Sequence, residues 1–298
     1  MSIDLKTFSA ALVELIAQAQ SSVVRVNARR RIPASGMVWS ADRVILTASH
    51  AIQREDKITV TLSNGEEHAA DLIGRDPTTD VAALRIAAGA LSPLPPARTE
   101  ELKVGHLALA LARPGQTVQA TLGMISGCGE KWRTPLGGSL EFFLRADINL
   151  YPGFSGGPLL TTKGEVLGMN SSALSRHFTV VVPVAALQRV ASELLQHGRV
   201  RRGYLGIGVQ PVDLPANLSQ QLNQETGLLV VSVAPDSPAE KHGLLLGDTI
   251  VSVAGQPLEH IEQLLASLGG DRIDQEIIFS ILRGGQLQEV KAVLGENV

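Results

Sequence analysis

The chain has 298 residues, which is enough for two domains of ordinary size. Hydrophobic residues make up 44% of the sequence and charged residues 18%, a balance that favours a folded globular protein over a disordered one. The formal net charge is −3, and Arg29-Arg30-Arg31 is the one basic cluster. A nucleic-acid-binding surface is therefore disfavoured, because phosphate contacts need larger groups of Lys and Arg. We interpret the arginine cluster as a solvated loop.

Residues 1–20 are predicted to form an amphipathic helix, because Leu5, Phe8, Leu12 and Ile16 recur at helical spacing. Such an apolar stripe predicts a homo-oligomer, in the first instance a trimer. The segment lacks the basic start and uninterrupted apolar core of a secretory signal, and no stretch approaches 18 apolar residues. Taken literally, the sequence predicts no membrane span and a cytoplasmic location.

Residues 21–200 have the texture of an all-β domain, a barrel or a sandwich, since short apolar runs alternate with turn residues. S-N-G-E at residues 63 to 66 is a hairpin turn signal. Ten runs are typical of strands: S-S-V-V-R-V, G-M-V-W, R-V-I-L-T, K-I-T-V-T-L, V-A-A-L-R-I, L-A-L-A-L, Q-T-V-Q-A-T-L, L-E-F-F-L, E-V-L-G-M and F-T-V-V-V-P-V.

A helix is predicted from about Pro183 to His197, with Gly198 at its C-terminal cap and a polar linker after it. Residues 203–298 then predict a small α+β domain of about six strands and two helices. S-P-A-E at 237 to 240 is a capping box that begins one helix, and Gly284-Gly285 marks a hairpin.

Three separated residues indicate nucleophilic catalysis. Ser155 stands in Y-P-G-F-S-G-G-P-L-L, His50 follows a strand-like run in L-T-A-S-H-A-I, and Asp80 enters the run D-V-A-A-L-R-I. The order His, Asp, Ser is that of the chymotrypsin-type triad. His50 would take the proton of Ser155, and Asp80 would fix the tautomer of the imidazole. The backbone N–H groups of Gly153 and Ser155 would bind the oxyanion.

Two other functions compete with a protease. A non-catalytic chaperone or peptide-binding scaffold would need none of these three residues, so their joint presence weighs against it. A lipase or esterase would run Ser, Asp, His along the chain and alternate strands with helices, which this sequence does not. Taken singly, a histidine, an aspartate or a G-x-S-G-G turn is more often structural.

Several longer stretches resemble the HtrA (Deg) family of serine proteases. They are T-A-S-H-A-I, D-P-T-T-D-V-A-A-L-R-I, A-D-I-N-L-Y-P-G-F-S-G-G-P-L, L-K-V-G-H-L-A-L-A and K-G-E-V-L-G-M-N. The tail resembles a PDZ domain through G-Y-L-G-I, V-A-P-D-S-P-A-E-K-H-G-L and G-D-T-I-V-S-V-A-G. The resemblance implies a mainly β fold, a chymotrypsin-like double six-stranded β-barrel followed by an α+β PDZ domain. It also implies ATP-independent cleavage of unfolded or damaged proteins by an oligomer. The family is usually extracytoplasmic.

The sequence departs from the family at two positions in the nucleophile loop. Phe154 stands where the family usually has Asn before the nucleophile, and Tyr151 stands where it usually has Asn before Pro-Gly. We expect Phe154 to change the packing behind the loop without removing the triad.

The specificity pocket is predicted around Asn149, six residues before the nucleophile, with Met169, Asn170 and Ser171 as a wall. Because this set contains no acidic residue, we expect small or medium apolar residues before the cleaved bond.

In the PDZ-like tail, Tyr204, Leu205, Gly206 and Ile207 are predicted to receive the carboxylate of a peptide C-terminus, which would extend a sheet edge. The expected partners are unfolded proteins, peptide C-termini and further copies of the chain. The histidines show no metal-ligand spacing, so no metal and no cofactor is predicted. Cys128 is the single cysteine, which excludes an intrachain disulfide.

Overall fold

The computed structural model of the chain describes residues 4–87, 91–175 and 177–296. The chain divides into two compact units, Met1–Val200 and Arg201–Val298. The first unit contains two closed β-barrels, and the second contains one antiparallel sheet with short helices. The predicted fold class, a double six-stranded barrel followed by an α+β domain, is confirmed.

The first barrel closes in the order β1-β2-β3-β6-β5-β4, since β1 also pairs with β4. Alternate apolar side chains such as Ile45, Val60 and Leu84 fill its interior. Its strands are β1 (Val23–Asn27), β2 (Ala34–Ser40), β3 (Val44–Ala48), β4 (Ile58–Thr61), β5 (Glu67–Asp76) and β6 (Val81–Ile86). A 3-10 turn, Ser49–Ala51, follows β3.

The second barrel closes in the order β11-β14-β13-β12-β7-β8, and a two-stranded hairpin of β9 and β10 interrupts the path between β8 and β11. Its strands and the hairpin are β7 (Leu107–Ala112), β8 (Gln119–Gly129), β9 (Trp132–Arg133), β10 (Ser139–Leu140), β11 (Phe143–Asp147), β12 (Pro158–Thr161), β13 (Val166–Ser171) and β14 (Thr179–Pro183).

Ten of the twelve barrel strands coincide with the predicted runs, and β5 and β12 were missed. Strand β5 is rich in charged residues and mostly partly exposed, so it lacks the continuous apolar signal of a buried strand. Strand β12 has only four residues and begins at Pro158, which a sequence pattern assigns to a turn. Both strands depend on their neighbours for stability.

Two helices complete the first unit. Helix α1 (Leu5–Ala19) packs Leu15, Ile16 and Ala19 against the core, whereas Leu5 is 76% exposed. Of the predicted stripe, Phe8, Leu12 and Ile16 are half-buried, and only Leu5 is exposed. Helix α2 (Val184–His197) lies on β5, β6 and β13, and it ends at Gly198 in the left-handed conformation, as predicted.

The second unit is built on the sheet β16-β17-β18-β20-β21, with β16 at one edge, β19 beside β18, and β15 paired with β22. Gly284 and Gly285 form the predicted turn between β20 and β21. A third helix, α3, was not predicted. The elements are β15 (Gly203–Tyr204), β16 (Ile207–Asp213), α3 (Ala216–Leu222), β17 (Thr226–Val233), α4 (Pro238–Lys241), β18 (Thr249–Val253), β19 (Gln256–Pro257), α5 (Ile261–Ser267), β20 (Glu276–Arg283), β21 (Gln286–Val293) and β22 (Gly295–Glu296).

Phe154 is a core residue of the second barrel. Its side chain is 1% exposed and lies in the apolar cluster that includes Leu159 and Val181. Its ring meets the ring of Tyr151 edge to face, with the two centroids 6.0 Å apart. Tyr151 itself is 56% exposed. The two departures from the family's asparagines therefore have different environments, one buried and one on the surface.

We expect Phe154→Asn to lower the free energy of unfolding by at least about 3 kcal/mol, because it leaves a cavity and buries an amide among apolar side chains. Tyr151→Asn is the matched control and should cost about 1 kcal/mol or less, since it loses mainly the ring contact. Urea unfolding followed by tryptophan fluorescence measures both, and it reports on the barrels because Trp39 and Trp132 are the only tryptophans. Equal costs for the two substitutions would contradict the assignment of Phe154 to the core.

Candidate active site

His50 and Asp80 form a paired cluster on the first barrel. His50 lies in the 3-10 turn after β3, and Asp80 immediately precedes β6, so strand pairing brings the two together. The His50 Nδ1 atom lies 2.8 Å from Asp80 Oδ2 and 3.0 Å from Oδ1. The backbone N–H of His50 also donates to Oδ1, at 2.9 Å. An Nδ1–H that donates to this carboxylate leaves the lone pair on Nε2.

The carboxylate of Asp80 is enclosed by protein. Its side chain is 3% exposed, whereas that of His50 is 30% exposed. Ser171 Oγ donates to Asp80 Oδ2 at 2.6 Å. Asp80 also holds a left-handed backbone conformation, φ +60°, at the end of a turn in which Asp76 accepts hydrogen bonds from Thr78 and Thr79. A buried carboxylate needs such donors, and here they also fix its orientation toward His50.

Ser155 lies on the loop between β11 and β12 of the second barrel, and it is 6% exposed. Its Oγ is 3.0 Å from Ser172 Oγ, which in turn is 3.4 Å from His50 Nε2. The N–H of Ser172 points to the same Ser155 oxygen at 3.3 Å. Among the described residues, Ser155 and His50 share no direct hydrogen bond. Ser172 therefore lies between the candidate nucleophile and the candidate base.

Gly153 gives the nucleophile loop its shape. It has φ +96°, a conformation that L side chains rarely adopt, and a Cβ built on it would lie 2.5 Å from Pro114 Cβ. Its carbonyl accepts a hydrogen bond from Ser35 Oγ at 2.7 Å. No hydrogen bond found in the described part of the chain uses the N–H of Gly153 or that of Ser155. These two donors, which the sequence predicts for an oxyanion, are thus available to a ligand.

Ser35 and Arg113 support the loop, and the sequence analysis missed both. Ser35 is fully buried, its Oγ also accepts from Arg113 N at 2.7 Å, and its N–H donates to Ser155 O at 3.1 Å. Arg113 is 3% exposed and donates to the carbonyls of Val23, Gln116 and Gln20. Burial lowers the pKa of this guanidinium. A single serine inside β2 and a single arginine directly after β7 carried no sequence signal for this role.

Ser155 opens on a cleft of about 680 Å³. The residues that line it are Arg29, Arg30, Arg31, Ile32, His50, Gln53, Leu150, Tyr151, Pro152, Gly153, Ser155 and Ser172. The arginine run lies on an exposed loop, as the sequence analysis interpreted it, and it also borders this cleft. Arg30 and Arg31 are exposed, but all three arginines face the same cleft as Ser155.

The residues predicted for the specificity pocket occupy different environments. Asn149 is exposed, whereas Met169, Asn170 and Ser171 are buried in β13. The side-chain N–H of Asn170 donates to Pro158 O, and Ser171 Oγ donates to Asp80 Oδ2. None of the four is among the residues that line the described cleft. Their role as a specificity pocket stays a prediction.

In the second unit, the predicted carboxylate-binding loop connects β15 to β16. Leu205 is buried, Gly206 has φ +82°, and the carbonyls of both residues accept hydrogen bonds, from Ala239 and Ala234. In the described part of the chain, the N–H groups of Leu205 and Gly206 have no acceptor. The loop leads into β16, the edge strand, with Ile207 at its first position. Helix α5 packs Leu264 and Ile261 into the apolar cluster that also contains Leu205 and Ile207.

Residues 4–87, 91–175 and 177–296 contain neither a metal-site arrangement nor a helix suited to cross a membrane. Within these ranges no group of three or more His, Cys, Asp or Glu side chains has the arrangement of a metal site. Over the same ranges, no helix combines the length and the apolar character that a membrane crossing requires.

Comparison with known sequences locates two domains. The profile of the trypsin-like peptidase domain matches residues 34–169, and the profile of the PDZ domain matches residues 203–294. A probable periplasmic serine endoprotease, DegP-like, from Ectopseudomonas mendocina is 35% identical over 267 residues, which cover 88% of this chain and 56% of that protein. The DegP-like protein from Halomonas elongata is 33% identical, with 90% and 57% covered. The chain thus spans little more than half the length of these curated relatives.

Solved structures match over almost the full length. The HtrA-type protease AlgW, solved with a tripeptide, has a TM-score of 0.77 and 30% identity, with 96% of this chain and 97% of that one covered. The serine endoprotease from Yersinia pestis has a TM-score of 0.78 and 29% identity, with 96% and 98% covered. The two barrels, the second domain and these similarities together establish that the chain belongs to the HtrA-type serine proteases.

Proposed function

We propose that the protein is a serine endopeptidase that cleaves exposed segments of unfolded or damaged proteins. The observation that carries this proposal is the His50–Asp80 pair at 2.8 Å, whose imidazole lines one cleft with Ser155 and Gly153, the residues with the two unused backbone N–H groups. Family membership supports it, since the relatives are named serine endoproteases. A non-catalytic scaffold would not require this complete set of groups.

In the proposed mechanism, Ser155 Oγ attacks the carbonyl carbon of the substrate and its proton passes to His50 Nε2. Ser155 exchanges its Ser172 partner for His50 when a substrate fills the cleft. Asp80 stabilises the imidazolium that forms, and its own hydrogen bond from Ser171 keeps its carboxylate oriented toward His50. The N–H groups of Gly153 and Ser155 bind the oxyanion. His50 then protonates the leaving amine, and water hydrolyses the acyl-enzyme.

Two further proposals, on substrate preference and on oligomerisation, follow from the same proposed function. Small or medium apolar residues are expected before the cleaved bond. Oligomerisation through α1 is expected because Leu5 and Val13 are exposed on that helix.

Ser155→Ala should abolish cleavage of unfolded casein and labelling by a serine-directed phosphonate, because it removes the attacking oxygen. Ser172→Ala takes a hydroxyl of the same size from the same cluster and should keep measurable cleavage, since Ser172 is not the nucleophile. Folded wild-type protein that neither cleaves casein nor reacts with the phosphonate would refute the proposal.

We further propose that the PDZ domain binds peptide C-termini. The supporting features are the free N–H groups of Leu205 and Gly206 and the exposed edge of β16, along which an extended peptide can add as a further strand. Apolar side chains near the peptide terminus would lie between β16 and α5, against Ile207 and Leu264.

Fluorescent peptides that end in an apolar residue should bind the full chain carrying Ser155→Ala, which prevents their cleavage. Amidation of the peptide C-terminus should abolish most of this binding, because the carboxylate is the group that the loop recognises. Fluorescence anisotropy measures both peptides side by side. Equal affinity for the acid and the amide would show recognition of internal segments instead.

A further inference from the structure

We propose that the cleft beside Ser155 selects substrate segments with Asp or Glu side chains close to the cleaved bond, through the run Arg29-Arg30-Arg31. This inference rests on the proposed proteolytic function and names its substrate class. The protein as a whole has a net charge of −3, so a cationic active-site cleft is a local feature.

The charge of the cleft is one-sided. Three arginines line it, and none of its other lining residues carries a carboxylate. The nearest acidic group of the site, Asp80, lies behind His50 with a side chain that is 3% exposed. Within the described parts of the chain, none of the three arginines forms an ion pair with a carboxylate of the protein. Their charges are therefore available to a ligand.

The run is fixed at one end and free at the other. Arg29 is partly buried and donates to the carbonyls of Ile32 and Pro33, so its guanidinium braces the loop between β1 and β2. Arg30 and Arg31 are exposed at the tip of this loop. An arginine stays charged throughout the working pH range and offers a planar fork that matches a carboxylate.

The arginine loop also lies against the nucleophile loop. A Cβ built on Gly153 would be 2.9 Å from Pro33 O, so the two backbones touch. Two residues later Ser35 donates to Gly153 O. A peptide placed for attack by Ser155 therefore lies in the cleft that Arg30 and Arg31 also line.

The other residues that line the cleft explain why acidic side chains are expected at only one or two positions near the cleaved bond. Ile32, Leu150 and Tyr151 give the same cleft apolar surface. The expected substrate segment combines apolar residues with one or two carboxylates. Exposed ion pairs are weak and sensitive to salt, so each arginine should contribute about three- to fivefold in kcat/KM.

The test uses the full chain and quenched fluorescent peptides built on a casein cleavage sequence, acetylated and amidated so that the PDZ domain has no carboxylate to bind. Glu, Gln and Lys replace one residue at a time at the three positions on each side of the cleaved bond. At one or more positions we expect Glu to exceed Gln by about three- to tenfold, mainly through KM. The ratio should shrink in 0.5 M NaCl, since salt screens exposed charges.

The double substitution Arg30→Gln with Arg31→Gln should reduce the ratio of Glu to Gln toward one, and Arg31→Glu should favour Lys. Arg85→Gln changes an exposed arginine on β6 outside the cleft lining and should leave the ratio as it was. Equal rates for Glu and Gln peptides with an active wild type would overturn this inference alone. If no peptide is cleaved, the proposed function fails. The charge preference is then decided by anisotropy with the Ser155→Ala protein, where equal affinities for Glu and Gln peptides overturn it.

Discussion

The candidate site depends on one buried serine. Ser35 belongs to the first barrel, yet its hydroxyl donates to Gly153 O and its N–H donates to Ser155 O, both on the second barrel. The same hydroxyl accepts from Arg113 N. Since His50 and Asp80 are carried by the first barrel and Ser155 by the second, these bonds set the distance between the candidate base and the candidate nucleophile. They lie in a fully buried environment, where an unmade hydrogen bond is costly.

The glycines around Ser155 follow from this close approach. Gly156 has φ +89°, and a Cβ built on it would lie 2.0 Å from Ser35 O. No side chain can occupy that space without separating the two barrels, so the glycine directly after Ser155 is required for packing. Gly153 combines a left-handed φ with contact to Pro33 and Pro114. The loop is thus shaped from outside by the first barrel and from behind by Phe154 in the core of the second.

The charged groups at the cleft differ in exposure: the carboxylate of Asp80 is buried, whereas Arg30 and Arg31 are exposed. Asp80 is enclosed with the hydrogen bonds of His50 and Ser171, and its charge acts on the imidazole alone. The arginine run lines the solvent-filled cleft, where its charges can interact with a bound ligand. Ser172 lies at the junction, within hydrogen-bond reach of both Ser155 and His50. The charge of the candidate triad and the charges proposed for recognition are therefore separated by burial, which decides how far each is screened.

The sequence by itself determined the fold class, the positions of ten barrel strands and the proposed roles of His50, Asp80 and Ser155. The strands and the candidate triad rest on local or ordered signals: apolar periodicity, turn glycines and motif order along the chain. Periodicity alone left a barrel or a sandwich open, and the double barrel was implied by the resemblance to the HtrA family. Only the tertiary structure decided the places of Ser35, Arg113 and Ser172, the burial of Phe154 and the position of the arginine run on the cleft. The tertiary structure also decided strands β5 and β12, because their sequences lack the apolar pattern of a strand and pairing with neighbouring strands stabilises them. The physical reason is that each of these features depends on contacts between segments far apart in sequence, across two barrels, and no local pattern records which polar group will meet which.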